Sequence, residues 1–173
     1  MDLSKVDIGA GDTSVEATLL FMKQLILKSD MEDKERLIKE TAKNIVKDIP
    51  SSDHYGQIKA ITRWVRLNLK YARDIYGVEE LTSPYRIIYN ILNGRKTHSS
   101  DCDDFAILLA ALLRALGFRT RLEAIAVQTQ NYNHARMAVY IGGSWVVIEG
   151  TKPQYPVGQA LPSTMPILAV EVI

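Results

Sequence analysis

Between Phe105 and Leu116 the chain carries one charge, at Arg114, and Gly117 follows directly. A helix that is apolar nearly all round has to be surrounded by protein, so this segment predicts the central element of the fold. Its uninterrupted apolar part, Phe105 to Leu113, is about half of the ~20 residues needed to cross a bilayer. Ser99-Ser100-Asp101 supplies a polar start and Gly117 a C-terminal stop. The predicted helix has a polar tip, Cys102-Asp103-Asp104, and an apolar body.

Four amphipathic segments precede it. Thr13-x-x-Glu16 fits a capping box and opens a stripe of Val15, Leu19, Met22 and Ile26. Ser29-x-x-Glu32 repeats the signal ahead of Leu37, Ile38, Ala42, Ile45 and Ile49, which Pro50 stops. Ser51, Ser52 and Asp53 cap a third helix carrying Ile58, Ile61, Trp64, Val65 and Leu69, fading near Tyr71-Ala72-Arg73-Asp74. Ser83-Pro84 and Gly94 bracket a short fourth.

Beyond Gly117 the pattern turns to strands: Arg119 to Gln128, Ala135 to Ile141, Ser144 to Glu149 and Ile167 to Ile173. Gly142-Gly143 reads as a two-residue hairpin loop, and four prolines from Pro153 to Pro166 make an irregular loop before the last strand. Helices first and an antiparallel sheet second predict an α+β fold. The expectation is a single domain over 1–173, with a flexible arm at 1–12 and a helical extension at 13–50. Whether that extension docks a partner or only adds packing is left open, as is the oligomeric state.

Lys and Arg total 21 against 20 Asp and Glu, a net charge of +1 that gives no electrostatic case for nucleic acid or a membrane surface. The first residues lack the basic and apolar regions of a secretory signal. The one cysteine, Cys102, can neither pair within the chain nor form Cys-x-x-Cys, which points to a reducing, cytoplasmic setting. His98-x-x-x-Cys102 with Asp101 falls short of a four-ligand zinc set, so neither metal nor cofactor is expected.

Cys102 stands where a polar cap meets the first turn of the buried helix, and thiolate is the nucleophilic form of a thiol. The helix N-terminus favours that anion, whereas Asp101, Asp103 and Asp104 disfavour it, so a cationic partner is required. His54 and His98 read as surface histidines. His134 begins the hairpin, and a two-residue turn at Gly142-Gly143 puts Ile141 opposite Ser144, Met137 opposite Ile148 and Arg136 opposite Glu149. His134 and Glu149 become diagonal neighbours on one face, within reach of long side chains. Glu149 can therefore orient the imidazole or pair with Arg136. A cysteine, an imidazole and a carboxylate form the set used for acyl transfer through a thioester.

Ser100 to Ala106, running on through Leu112-Leu113-Arg114-Ala115-Leu116-Gly117-Phe118-Arg119-Thr120-Arg121, resembles the transglutaminase-like superfamily. His134-Ala135, the segment Trp145 to Thr151, and Ile61-x-x-Trp64-Val65 with Tyr71 are similar to further parts of that family. The resemblance spans about 57–153 and implies a papain-like core in which a helix delivers Cys102 to a sheet bearing His134 and Glu149. Glu149 departs from the Asp usual there, and the acidic Asp103 after the cysteine occurs in some prokaryotic and phage-type members. Tyr71 is the upstream candidate for an oxyanion donor. The implied activity is a cysteine protease or transglutaminase-type acyltransferase, with peptide or protein as substrate. The alternative is a binding or assembly module that keeps the fold without chemistry.

Overall fold

The computed structural model describes residues 12–30, 32–72, 81–95 and 100–173. Among these residues five α-helices come first: α1 (Asp12–Leu27), α2 (Glu32–Val46), α3 (His54–Asn68), α4 (Pro84–Leu92) and α5 (Cys102–Ala115). Four strands follow: β1 (Thr120–Ile125), β2 (His134–Ile141), β3 (Ser144–Ile148) and β4 (Leu168–Val172). They form one antiparallel sheet in the order β3-β2-β1-β4. The fold is α+β, as the order of patterns predicts.

The nearly all-apolar segment is the centre. Every residue of α5 from Asp103 to Leu113 is buried, and the helix packs against α1, α2, α3, α4, β1 and β2. Leu19, Met22, Leu25 and Ile26 of α1 and Ile38, Ala42 and Val46 of α2 bury into the same apolar cluster as α5 and the sheet. The helical extension thus contributes core rather than standing apart from it.

The start signals are met at three helices. Asp53 caps α3 by accepting from the Gly56 N–H at 2.8 Å, Ser83 caps α4 with Pro84 behind it, and Asp101 caps α5. The expected cap at Ser29 is not formed. Its hydroxyl donates back to the Leu25 carbonyl at 2.9 Å within a 3-10 turn, Lys28–Asp30, because the side chain is buried against the preceding helix. Helix α3 also ends earlier than its pattern suggests. Leu69 is extended and buried, and Tyr71 then makes a parallel bridge with Ser100, so the chain runs beside the approach to α5.

The hairpin has the anticipated register: Ile141 faces Ser144, Val139 faces Val146 and Met137 faces Ile148. Gly142 and Gly143 have φ of 60° and 84°, the left-handed pair that a two-residue turn of matching twist requires. The expected arm at 1–12 falls almost wholly outside the described residues, as do His98, Arg73 and Asp74. No described helix is long and apolar enough to cross a membrane.

Candidate active site

Cys102 is the first residue of α5. Asp101 accepts from the N–H groups of Asp103 at 3.0 Å and Asp104 at 3.3 Å, and so fixes the turn on which the thiol sits. Helix α5 packs on β2, and the backbone N–H of Ala135, the residue after His134, is near enough to the sulfur to favour thiolate. Asp103 Oδ1 lies 3.8 Å from Sγ. Burial, then Asp103, then Asp101 push the thiol well above its ordinary value, outweighing the two N–H groups, of Ala135 and of Cys102 itself, that favour thiolate. The opposition between helix tip and carboxylates is settled against the anion, and the resting group is a neutral thiol.

His134 opens β2, and its Nε2 is 2.9 Å from Glu149 Oε2. Arg136, one pleat further along, donates from Nη1 to Glu149 Oε1 at 2.9 Å. The two partners that the hairpin register offers to Glu149 are both engaged, one per carboxylate oxygen. The Leu161 N–H adds a third bond, to Oε1 at 2.9 Å. Burial alone would raise this carboxyl, but the bonds from His134, Leu161 and Arg136 hold it below the usual carboxylate range. An ionised carboxylate only accepts, so His134 Nε2 carries the hydrogen. In the neutral ring the lone pair is then on Nδ1, the nitrogen available as a base.

This cluster continues across the sheet. Arg136 Nε donates to Glu123 Oε2 at 2.7 Å, and Arg121 Nε donates to Glu123 Oε1 at 2.7 Å. Arg136 is 2% exposed and both glutamates are 0% exposed, so the charges are satisfied by one another, by His134 and by the Leu161 backbone rather than by solvent. The segment around Leu161 lies over them, its carbonyl accepting from Arg136 Nη1 at 3.0 Å.

Three sets of contacts escape a reading of the sequence. Arg66, on the last turn of α3, donates to backbone carbonyls at 149, 150, 152 and 155. Glu123 looks like a solvated strand residue, although its alternation with Arg121 places both on the face of Arg136. Asp104 accepts from the Thr82 N–H at 2.9 Å, tying the first turn of α5 to the approach to α4. His54 is distant in role: its ring meets Phe118 edge to face at 5.7 Å. Tyr71 reaches this corner by its backbone bridge to Ser100, and the residue is 49% exposed. Among the described residues no group of three or more His, Cys, Asp or Glu side chains is placed to hold a metal.

Comparison with solved structures gives the same architecture. The chain superimposes on LapG of Legionella pneumophila with a TM-score of 0.53 and 20% identity, covering 84% of this chain and 79% of that one. It matches a protein of Cytophaga hutchinsonii titled a "Putative Cysteine Protease" with a TM-score of 0.51 and 21% identity, over 81% of this chain and 52% of that one. A Parabacteroides distasonis protein titled a "Putative Protease" gives 0.57 and 13%, over 91% of this chain and 29% of that one. The chain thus spans about half of one of these proteins and under a third of another. A search of curated protein sequences returns no match. The family model described as the transglutaminase-like superfamily matches residues 40–150. That span is well over half of the 173 residues, and the chain belongs to the transglutaminase-like superfamily.

Proposed function

We propose that the chain is a cysteine-dependent enzyme that attacks amide bonds of peptide or protein substrates, with Cys102 as nucleophile, His134 as base and Glu149 as the orienting acid. The observation that carries this reading is the 2.9 Å bond between His134 Nε2 and Glu149, at the strand start that the Cys102 tip of α5 abuts. It aims Nδ1, the basic nitrogen, away from the carboxylate.

The thiol is neutral at rest, so its proton passes to His134 Nδ1 as the sulfur adds to the carbonyl carbon. The Cys102 backbone N–H donates to the developing oxyanion. Collapse breaks the C–N bond, the departing amine takes the proton from the imidazolium, and a thioester remains on Cys102. Water, deprotonated by His134, then releases the carboxylic acid and returns the thiol; an amine in place of water would complete a transfer. The protease titles of the structural neighbours favour water. A free thiol of this kind suits a reducing setting such as the cytoplasm.

Acylation by p-nitrophenyl acetate, followed by intact mass, tests the proposal without a known substrate. We expect an acetyl adduct on Cys102, absent in Cys102→Ala and formed about 10²-fold more slowly in His134→Ala. Equal acylation of the wild type and His134→Ala would overturn it in favour of a fold kept for binding or assembly. Adding an amine too weak to cleave a model thioester on its own separates the two outcomes: an amide formed from the acyl-enzyme faster than hydrolysis identifies transfer competence.

A further inference from the structure

Glu149 lies one residue past the β2–β3 ladder, whose last pair is Met137 with Ile148. Its carbonyl accepts from α3 instead of from the sheet: Arg66 Nη2 donates to Glu149 O at 2.7 Å. The same guanidinium reaches Tyr155 O at 2.9 Å, Lys152 O at 3.3 Å and, through Nε, Gly150 O at 3.4 Å. Among the described residues no carboxylate lies within ion-pair distance of Arg66, on which the Glu149 carboxylate acts only at longer range, so the fork's hydrogen bonds all go to the turn that leaves the sheet after Glu149. Beneath that turn Gly150 seats directly on α5, where a Cβ would lie 2.9 Å from Phe105 Cβ and 3.1 Å from Leu109 Cδ1.

We infer that Arg66 is a positioning residue: it fixes the backbone at Glu149, and with it the aim of the carboxylate at His134. The inference rests on the reading of Cys102, His134 and Glu149 given above. Arg136 neutralises the carboxylate from the side, whereas Arg66 locates the chain that carries it. A planar fork with several donors can span four carbonyls, and a lysine ammonium cannot match that geometry. Displacements of about 1 Å in a reacting group cost on the order of 10²-fold in rate, so an anchor on the backbone of the acid's own residue is felt in the chemistry.

The test uses the full chain and two readouts. One is the proton NMR signal of His134 Nε2–H, which a bond to carboxylate shifts downfield; the other is the acylation rate with p-nitrophenyl acetate. In Arg66→Ala we expect a native circular dichroism spectrum, loss of the downfield signal and acylation slowed about tenfold. Millimolar guanidinium should restore both, which a general loss of packing would not allow. Arg66→Lys should fall between the two; it also serves as the reading if Arg66→Ala does not fold. An unchanged downfield signal in either folded variant, or no rescue by guanidinium, would overturn the inference. If the catalytic reading alone is wrong, the wild type and His134→Ala acylate alike while the signal still responds to Arg66.

Discussion

Arg136 and Glu149 form a clamp that leaves one carboxylate oxygen to the imidazole: Nη1 donates to Oε1 at 2.9 Å, while Oε2 is 2.9 Å from His134 Nε2. On its other side Arg136 donates to Glu123, which Arg121 also holds. Negative and positive groups alternate through the buried row, and Arg136 is the member on which both glutamates depend.

Arg136→Met leaves Glu149 and Glu123 buried without their shared guanidinium. Breaking a buried pair from one side typically costs about 3–5 kcal/mol. Urea denaturation should show a loss of this order, and Arg136→Met combined with Glu123→Gln should recover part of it. A loss below about 1 kcal/mol in the single variant would mean that water already reaches the row.

Glu149 gives the fold an acid-side limit. Its carboxyl is held below the ordinary 4.5, so the folded state keeps it ionised where the unfolded chain would take up a proton. The stabilisation is fully present above about pH 4.5 and is lost as pH falls through the lower folded value. Denaturation midpoints followed from pH 6 to pH 3 should decline for the wild type, and the decline should be shallower in Glu149→Gln. Parallel curves would place the acid sensitivity elsewhere.

The thiol of Cys102 sits well above its ordinary value of 9.0, first through burial and then through Asp103 and Asp101. Iodoacetamide, which reports thiolate, should therefore react slowly at neutral pH and accelerate only beyond pH 9. Asp103→Asn removes a negative charge at 3.8 Å from the sulfur, which lowers the cost of ionisation. Its alkylation profile should move to lower pH, while Asp53→Asn, at the remote cap of α3, should leave the profile in place.

What could be read from the sequence is what short-range rules determine. The two-residue Gly142-Gly143 loop fixes the β2–β3 register, and that register alone brings Arg136 and His134 to Glu149. The cap at Asp101 and the burial of residues 105–113 follow from local pattern in the same way. Arg66 is 83 residues from Glu149, and backbone carbonyls leave no trace in residue identity, so no spacing rule points to it. Glu123 depends on the β1–β2 pairing, joined by a loop too long to set a register, and on the segment around Leu161 that shuts out water. Ser29 misleads because a capping box and a buried hydroxyl bonded to its own helix have the same sequence signature.

The helical extension is the last place where pattern and packing part company. Read along the chain, residues 13–50 are amphipathic helices with a solvated face, equally suited to docking a partner. In the fold Met22 and Ala42 are 0% exposed and share one apolar cluster with α5 and the sheet. α1 also lies along β4, the strand at one edge of the sheet. Met22→Ala should then cost about 2–5 kcal/mol, the range for emptying a closed core position. The loss should appear as a shift of a single cooperative transition, seen alike by circular dichroism and by tryptophan fluorescence from Trp64 and Trp145. Removing residues 1–50 should abolish folding, not merely association. A truncated chain that still acylated at Cys102 would show that these helices are dispensable, and would return the docking role to consideration.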